Sequence, residues 1–476
     1  MLFSSYEYLA VFLPIVVVIF HWLKARHFVH LSFFFLTVTS FIFYAWWNPR
    51  DLPILLGSIT INWWLGRQII LSKGSRTKQR WMLYGGCVAN FLLLGYFKYA
   101  GFLVDNVNYF GGTEVEFVKP MLPLAISFFT FQQIAYLVDC FSGDEELFSF
   151  SDYALFVTFF PQFIAGPIVH HKEMMPQLTM THAPGEMTNL FSLGLFRFSI
   201  GLFKKVILAD TFAIWANAGF GEVDQMTTAT AWITTFAYTL QLYFDFSGYS
   251  DMAVGSGLLF GIRLPENFNS PYRATDIKDF WRRWHITLGR WLRDYLYIPL
   301  GGNRNGTANM LFAITLTFVL GGLWHGASWT FIAWGALHGF AYVMLWAWTL
   351  TGIKMPVWTA RLTTFGFIHL TWVFFRAKTF SDAMSVLHQM FDPVQWSQIF
   401  QGYGLQGMDL LPCGYEAIAA VIAGLGIVFF AQNSRQMEER FSPNFRNMVL
   451  FWIAMAAPLV KLTFHDDFAE FLYFNF

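Results

Sequence analysis

One stretch of the sequence concentrates the side chains that could hold a charged substrate. Asp276–Asp294 contains five lysines or arginines, three tryptophans and one histidine, His285. If this stretch is one helix, His285, Leu288 and Leu292 share a face. Guanidinium groups match phosphate oxygens, so nearby arginines could bind the phosphates of a nucleotide-tailed donor. These candidate donor-binding residues are Arg282, Arg283, Arg293 and Arg304. Tryptophan and arginine also anchor helices at lipid headgroups, and that interpretation stays open.

A second histidine, His325, lies in a run of 49 residues without a charged side chain, Asn305–Ile353. The run is long enough for two membrane spans with a tight turn between them. Ionisable groups at membrane depth are costly and usually functional, which makes His325 a candidate general base. Its flanking glycines allow the close backbone approach that a substrate tunnel requires. A structural histidine that bridges two helices is the alternative interpretation.

Other histidines give weaker signals. His338 follows His325 by 13 residues, roughly the opposite face of a continuous helix, so we predict a structural role for it. The adjacent His170 and His171 point apart and form a poor metal-binding pair. The sequence contains no HExxH motif, His/Cys cluster or facial carboxylate set, so we predict no metal site. It also lacks the GxSxG motif of a serine nucleophile and the glycine-rich nucleotide-binding motifs.

The composition indicates a membrane protein with several spans. Of 476 residues, 30 are Lys or Arg and 30 are Asp or Glu, so charged residues make up 13% of the chain against 56% hydrophobic residues. A soluble protein of this length would have too little polar surface to cover its core. Disordered, nucleic-acid-binding and disulfide-scaffold proteins are therefore excluded. The three cysteines lie far apart and are expected to be packing residues.

The spacing of apolar stretches predicts roughly 11 to 13 membrane segments, each needing about 20 apolar residues. The loop Lys73–Arg80 carries four positive charges and no negative one, which places it in the cytoplasm and the N-terminus outside. The start of the chain lacks a basic n-region and a cleavage site, so the first span is expected to stay in the protein.

Two apolar segments do not have the pattern of a continuous membrane-spanning helix. Prolines interrupt Tyr153–His171, and glycines interrupt Ser247–Gly261. Irregular backbone at membrane depth survives only where protein or a water-filled cavity surrounds it, so both predict broken or re-entrant pieces that line a central site. We expect one integral membrane domain over residues 1–476. Its expected parts are N-terminal helices at 1–150, a catalytic core with both histidines at 151–350, and C-terminal helices at 351–476.

Five motifs in the second half of the chain support a more specific prediction: Tyr243–Ala253, Leu264–Phe268, Phe280–His285, Tyr295–Arg304 and Gly322–Ala327. Together they resemble the signature of the membrane-bound O-acyltransferase (MBOAT) superfamily. The chain is most similar to the branch that O-acetylates alginate and related polysaccharides, which Met1–Ser5, Tyr44–Trp47 and Phe471–Phe476 also match. Two departures are His170-His171, where a basic residue is expected after Gly-Pro, and Gly289-Arg290, which replace small hydroxylated residues.

The resemblance implies an all-α fold, a ring of membrane helices around a central tunnel. It implies transfer of an acyl group, here acetyl, from a cytoplasmic thioester to a hydroxyl presented from outside. The donor would be acetyl-CoA or an acyl carrier, used as a co-substrate, with no bound cofactor. The family's active-site histidine corresponds to His325, acting as general base or stabilising charge at the thioester. The second corresponds to His285, which would orient groups or relay the proton.

The chain has no extramembrane domain large enough to hold a polymer. We therefore expect a periplasmic or other extracytoplasmic acetyltransferase partner that passes the acetyl group to a polysaccharide. We expect the chain itself to lie in the bacterial inner membrane, in contact with lipids, and to have no nucleic-acid partner. Two alternatives stay open at this point. One is D-alanyl transfer to teichoic acid by a related subunit, and the other is a membrane transporter.

Overall fold

The computed structural model describes residues 1–143, 146–180, 183–401, 405–464 and 471–472, and these contain helices and no β-strand. The predicted all-α class is confirmed. Most of the closing motif, Tyr473–Phe476, lies outside the described residues. The chain divides into two compact units, one of Met1–Phe198 with Ser250–Pro265, the other of Ser199–Tyr249 with Glu266–Phe476. The description of the chain as one domain stays a prediction.

Most of the first unit consists of helices α1 to α9. Their bounds are α1 Leu13–Ala25, α2 Val29–Ala45, α3 Leu52–Leu71, α4 Arg76–Leu94, α5 Ala100–Gly111, α6 Ile126–Ser142, α7 Phe150–Thr158, α8 Phe160–Phe163 and α9 His171–Met174. Short π-helical or 3₁₀ segments adjoin them at Glu7–Phe12, Pro49–Asp51, Gly95–Tyr99 and Met175–Thr179. Two further helices have one end in each unit, α10 Pro184–Phe203 and α12 Thr228–Leu259.

The second unit holds the remaining helices. Their bounds are α11 Asp210–Gly221, α13 Ile277–Trp281, α14 Ile286–Leu292, α15 Gly306–His325, α16 Trp329–Leu350, α17 Val357–Arg376, α18 Phe380–Met390, α19 Pro393–Phe400, α20 Gly414–Phe430, α21 Ser434–Glu439 and α22 Phe445–Phe464. Short π-helical or 3₁₀ segments lie at Lys204–Ala209, Val223–Gln225, Pro271–Arg273, Arg293–Tyr297 and Met408–Leu410.

Within the residues that the structure describes, six helical segments are long and apolar enough to cross a membrane: Glu7–Ala25, Pro49–Leu71, Arg76–Gly111, Gly306–His325, Trp329–Leu350 and Phe445–Phe464. Two shorter apolar helices, α2 and α20, accompany them. The protein is therefore a multi-pass membrane protein. Other predicted segments fold into helices that carry buried polar groups, such as Gln132 and Gln133 in α6. The count of roughly 11 to 13 segments stays a prediction.

Buried polar side chains join helices within the first unit. The amides of Asn62 in α3 and Asn90 in α4 donate to each other's oxygens at 3.2 and 2.7 Å. Ser58, one turn earlier in α3, donates to Gln133 Oε1 in α6 at 3.3 Å. Interhelical hydrogen bonds of this kind hold membrane helices together, because lipid offers these groups no partner.

The predicted break in Tyr153–His171 is confirmed. Helix α7 ends at Thr158, and Phe159 takes an extended ψ of 107° before the four-residue α8 begins. The break frees the backbone N–H of Phe160, which donates to Ser40 Oγ in α2 at 3.2 Å. Irregular backbone follows at 164–170, where nearly every residue is buried. Protein therefore surrounds this segment, as irregular backbone at membrane depth requires.

The predicted break in Ser247–Gly261 is wrong, because α12 continues through these glycines to Leu259. A Cβ atom at Gly248 would lie 2.8 Å from the Gly201 carbonyl oxygen, and one at Gly255 would lie 2.6 Å from the Phe198 nitrogen. Both neighbours belong to α10. The glycines therefore allow two helices to pack with their backbones in contact, which outweighs the cost of about 1 kcal/mol for glycine in a helix.

Candidate active site

The uncharged run that contains His325 folds as two helices with a three-residue turn between them, as predicted. Helix α15 ends on His325, and Gly326 leaves the helix with an extended backbone. The backbone N–H of Gly326 still reaches the Gly322 carbonyl at 3.3 Å, and α16 begins at Trp329. His325 is therefore fixed at the end of a rigid element, next to a sharp change of chain direction.

Glycines set the distance between α15 and α16. A Cβ atom at Gly322 would lie 2.2 Å from the Phe331 carbonyl oxygen, and one at Gly335 would lie 2.3 Å from the Phe318 carbonyl oxygen. A Cβ atom at Gly326 would lie 2.1 Å from the ring of Phe331. Sequence reasoning assigned the glycines beside His325 to a substrate tunnel. In the structure Gly322 lies against the backbone of α16 and Gly326 against the ring of Phe331, and a role of these glycines in a tunnel stays a prediction.

Aromatic rings surround His325, which is only 3% exposed. Its ring centroid lies 5.0 Å from Trp324, 5.3 Å from Trp334 and 5.2 Å from Phe375. Trp334 and Phe375 come from α16 and α17 and also contact each other at 5.2 Å. Three helices thus fix the orientation of the imidazole in an apolar, water-poor setting. Such a setting strengthens electrostatic and proton-transfer interactions.

The stretch that contains His285 is not one helix, so the predicted shared face of His285, Leu288 and Leu292 is wrong. Helix α13 ends at Trp281, and α14 starts only at Ile286. Between them His285 takes a left-handed backbone conformation, with φ 44° and ψ 51°. That conformation is costly for a residue with a Cβ atom and persists where surrounding contacts impose it.

Asn267 supplies those contacts. Its Oδ1 atom lies 3.1 Å from Nδ1 of His285, 2.9 Å from Oγ1 of Thr287 and 3.3 Å from the Thr287 backbone nitrogen. Its backbone carbonyl accepts from the N–H of Ile286 at 3.0 Å. The ring of Phe246 meets the His285 imidazole edge-on, with the ring centroids 4.7 Å apart. Asn267, which belongs to the sequence motif Leu264–Phe268, thus holds the imidazole of His285 and the backbone that follows it.

The structure brings the two candidate catalytic histidines together. The ring centroids of His285 and His325 lie 6.4 Å apart, although 40 residues separate them in the sequence. Both side chains are buried, and Trp324 lies beside each of them. His285 lies outside the six candidate membrane spans, and its complete burial lowers its pKa to about 3, so the imidazole is neutral at physiological pH. Two imidazoles at this distance can share one substrate.

The four candidate donor-binding arginines differ in how they are held. Arg283 donates to Asp279 at 2.8 Å, and Arg293 pairs with Asp294 through two bonds of 2.7 and 3.1 Å. Their charges are therefore already partly compensated. Arg282 and Arg304 are exposed. Phosphate binding by this set stays a prediction.

His338 makes the contacts of a structural residue. The indole N–H of Trp281 donates to its Nδ1 at 3.1 Å, and Thr371 Oγ1 lies 3.2 Å from its Nε2. Since Nδ1 accepts, Nε2 carries the proton and donates to the threonine. His338 thereby links the end of α13, helix α16 and helix α17, in agreement with its predicted structural role.

The adjacent His170 and His171 lie in the first unit. His170 and Glu173 form a reciprocal cap at the start of α9. His171 is buried against Tyr136 and Phe156, with Nδ1 3.7 Å from Asp139. Within the described parts of the chain, no group of three or more His, Cys, Asp or Glu side chains could hold a metal ion. The expectation of a metal-free site stays a prediction.

Sequence reasoning assigned no role to two carboxylates of the motif Tyr243–Ala253. Asp245 pairs with Lys205 at 2.8 Å, and Lys205 also contacts Asp210 at 2.8 Å. Asp251 pairs with Arg197 at 2.7 Å. All five side chains are buried or nearly so. Charged residues inside an otherwise apolar segment, such as Arg197 and Lys205, were the signal that could have identified these pairs, because buried charges need partners.

Comparison with known proteins identifies the family. The model of the family described as "MBOAT, membrane-bound O-acyltransferase family" matches residues 141–381, which include both histidines. The chain belongs to the membrane-bound O-acyltransferase family. The predicted family is thereby confirmed, and the protein is an acyltransferase. The transporter alternative has no support.

Three relatives narrow the branch. A peptidoglycan O-acetyltransferase of Helicobacter pylori is 46% identical over 80% of this chain and 76% of its own length. A probable alginate O-acetylase of Pseudomonas putida is 38% identical over 100% of both chains. A teichoic acid D-alanyltransferase of Streptococcus thermophilus is 30% identical over 47% of this chain and 57% of its own length. This MBOAT protein is thus similar over most of its length to O-acetyltransferases.

Proposed function

We propose that this MBOAT protein transfers an acetyl group from a cytoplasmic thioester, across the membrane, to a hydroxyl on an extracytoplasmic acceptor, for O-acetylation of a polysaccharide. The observation that carries the proposal is the pair of buried histidines, His285 and His325, inside the family region. The relatives named O-acetyltransferases or O-acetylases support acetyl as the transferred group.

The chemistry assigned to the pair is acyl transfer assisted by a general base. The His325 imidazole takes the proton of the acceptor hydroxyl as its oxygen attacks the thioester carbonyl carbon. The tetrahedral intermediate collapses with cleavage of the carbon–sulfur bond, an ester forms, and the proton passes to the departing thiolate. His285 orients the reacting groups or relays this proton. General acid–base assistance of this kind is worth about 10²–10⁴-fold in rate.

The donor side belongs to the proposal as well. Acetyl-CoA carries phosphates that exposed Arg282 could bind, whereas an acyl carrier protein would dock over a wider surface. We place the arginines at the cytoplasmic mouth, the N-terminus outside, and the protein in the bacterial inner membrane. The four positive charges of Lys73–Arg80 support that orientation.

The acceptor side requires a partner. The histidines are buried, so a long polymer outside the membrane cannot reach them. The acetyl group would leave through an outward opening to an extracytoplasmic acetyltransferase, which then modifies the polysaccharide. Peptidoglycan and alginate, the polymers in the names of the relatives, both offer hydroxyl groups for this reaction.

Histidine substitutions in membrane vesicles test the function. His325→Ala is expected to abolish acetylation of polymer while membrane insertion persists, and His285→Ala to cause a severe loss. The matched control is His369→Ala, because His369 is equally buried in the second unit but bonds Thr235 and Thr239 at 3.3 and 2.9 Å instead of facing the pair. Wild-type acetylation by His325→Ala would refute the assignment. Equal loss in all three variants, with aggregation in detergent, would favour a purely structural role.

D-alanyl transfer from a carrier-protein thioester is the competing reaction, and free coenzyme A discriminates between them. If acetyl-CoA is the donor, free coenzyme A competes with it at the arginine-bearing mouth and lowers the rate. If a carrier protein is the donor, free coenzyme A leaves the rate unchanged. Transfer of D-alanine and not acetyl by the purified protein would overturn the proposed substrate.

A further inference from the structure

The side chain of Asn267 determines which nitrogen of His285 carries the proton. Its Oδ1 atom lies 3.3 Å from the backbone nitrogen of Thr287, and a backbone N–H can only donate. The atom at that position is therefore the carbonyl oxygen of the amide and not its NH₂ group. The same oxygen lies 3.1 Å from His285 Nδ1. Since an oxygen acceptor needs a donor, Nδ1 carries the hydrogen.

A neutral imidazole has one protonated nitrogen and one lone pair. With the hydrogen on Nδ1, the lone pair resides on Nε2, at the far side of the ring from Asn267. A nitrogen with a lone pair can accept a proton, whereas one that carries hydrogen cannot. The orientation of a catalytic histidine commonly depends on such a bond to its other nitrogen.

Asn267 also holds the backbone of His285. Its carbonyl oxygen accepts from Ile286, and the Asn269 N–H donates to the Arg283 carbonyl at 2.9 Å, so the two chain segments run side by side around His285. The left-handed φ of 44° at His285 is thereby imposed from outside. Strained backbone conformations that the surroundings over-determine are concentrated at functional sites.

We infer that Asn267 is a positioning residue for acyl transfer, which keeps His285 in the tautomer with a proton-accepting Nε2 and fixes its ring beside His325. This inference rests on the proposed function of the histidine pair. It assigns to the motif Leu264–Phe268 a role in the reaction. The Thr287 hydroxyl, which donates to the same oxygen at 2.9 Å, holds the Asn267 amide in place.

Two substitutions separate hydrogen bonding from packing. Asn267→Leu keeps the branched shape of the side chain but removes the acceptor, and it should lower the rate of acetyl transfer by about 10²-fold or more. Asn267→Asp keeps an acceptor for the same three donors and should retain at least about tenfold more activity than the leucine variant. The carboxylate also favours protonated His285, so the acid limb of its pH–rate profile should move to higher pH.

Asn433→Leu is the matched control. Asn433 is also a buried asparagine of the second unit, and its amide donates to Asn269 Oδ1 at 2.9 Å and to Ser270 Oγ at 2.8 Å. It has no bond to His285. This variant should lose thermal stability comparable to that of Asn267→Leu while keeping its rate per folded protein within a few fold. Equal rate losses in the two leucine variants would overturn the positioning role.

A measurement without catalysis covers the case in which Asn267 variants fail to fold. Nitrogen NMR of wild-type protein labelled at histidine, with the His285 signal identified by its loss in His285→Gln, reports which ring nitrogen carries hydrogen. Protonation at Nδ1 supports the inference, and protonation at Nε2 overturns it, whatever the substrate is. If Asn267→Leu keeps full activity while His285→Ala is inactive, the inference fails and the proposed function stands.

Discussion

Replacing Gly335 with alanine tests whether the packing of α15 on α16 sets the position of His325. The new Cβ atom would lie 2.3 Å from the Phe318 carbonyl oxygen and 3.1 Å from the Val319 Cα atom. Both atoms belong to the backbone of α15, so no side chain can rotate away. Restoring an ordinary contact of 3.4 Å requires the helices to separate by about 1.1 Å.

That displacement is large for a catalytic site. His325 ends α15, whereas Trp334 and Phe375 hold its ring from α16 and α17. A misplacement of about 1 Å can reduce the rate by about 10²-fold, so we expect a loss of that size in the acetyl-transfer rate. Overpacking should cost about 1–3 kcal/mol of stability. The better helix propensity of alanine offsets up to about 1 kcal/mol of this.

The assay compares acetyl transfer in membrane vesicles and thermal unfolding in detergent for Gly335→Ala and a control. The control is Gly366→Ala in α17, where a Cβ atom would meet nothing within 4 Å. It should keep its activity and gain stability from helix propensity. Full activity of Gly335→Ala would refute the argument that close α15–α16 packing positions His325. An equal loss of activity in both glycine variants would show that the assay reports the stiffness of the helices and not the position of His325.

Three further outcomes follow from the structure. Arg282→Gln should raise the KM for an acetyl thioester more than it lowers kcat. Arg293→Gln should raise the KM less, because Asp294 already binds that guanidinium. Steady-state kinetics of both variants tests this, and equal KM values for the two variants would contradict it. Lys205→Met leaves Asp245 and Asp210 buried without the cation that they share, and it should cost about 3–5 kcal/mol of stability. Thermal unfolding measures this loss, and an unchanged unfolding temperature would be inconsistent with the two ion pairs. The purified protein alone should turn over donor slowly and acetylate no polymer until an extracytoplasmic partner is added, and efficient polymer acetylation in liposomes without a second polypeptide would rule this out.

Composition and motif spacing determined much about this protein. The scarcity of charged residues in a chain of 476 residues was enough to predict a multi-pass membrane protein, because lipid-facing helices must be apolar. The prolines near Phe159 predicted a real break, since proline removes a backbone donor wherever it stands. The family also followed from local motifs. His325 stood out because an ionisable side chain flanked by glycines, inside 49 residues without a charged side chain, has a cost that structure or function must offset.

Only the tertiary structure decided how the pieces meet. A glycine in the sequence is compatible with a break in a helix, the wall of a tunnel or a close contact between two helices. Only the atoms next to Gly248 and Gly335 in the structure show that these two glycines allow close contacts between helices. The helix expected around His285 did not form as one piece, because Asn267 holds this segment in a left-handed turn by bonds that span about 20 residues of sequence. The 6.4 Å separation of His285 from His325 likewise depends on packing among helices from distant parts of the chain. Local patterns carry no information on such long-range contacts, because they encode which face of an element is apolar and not which partner covers it.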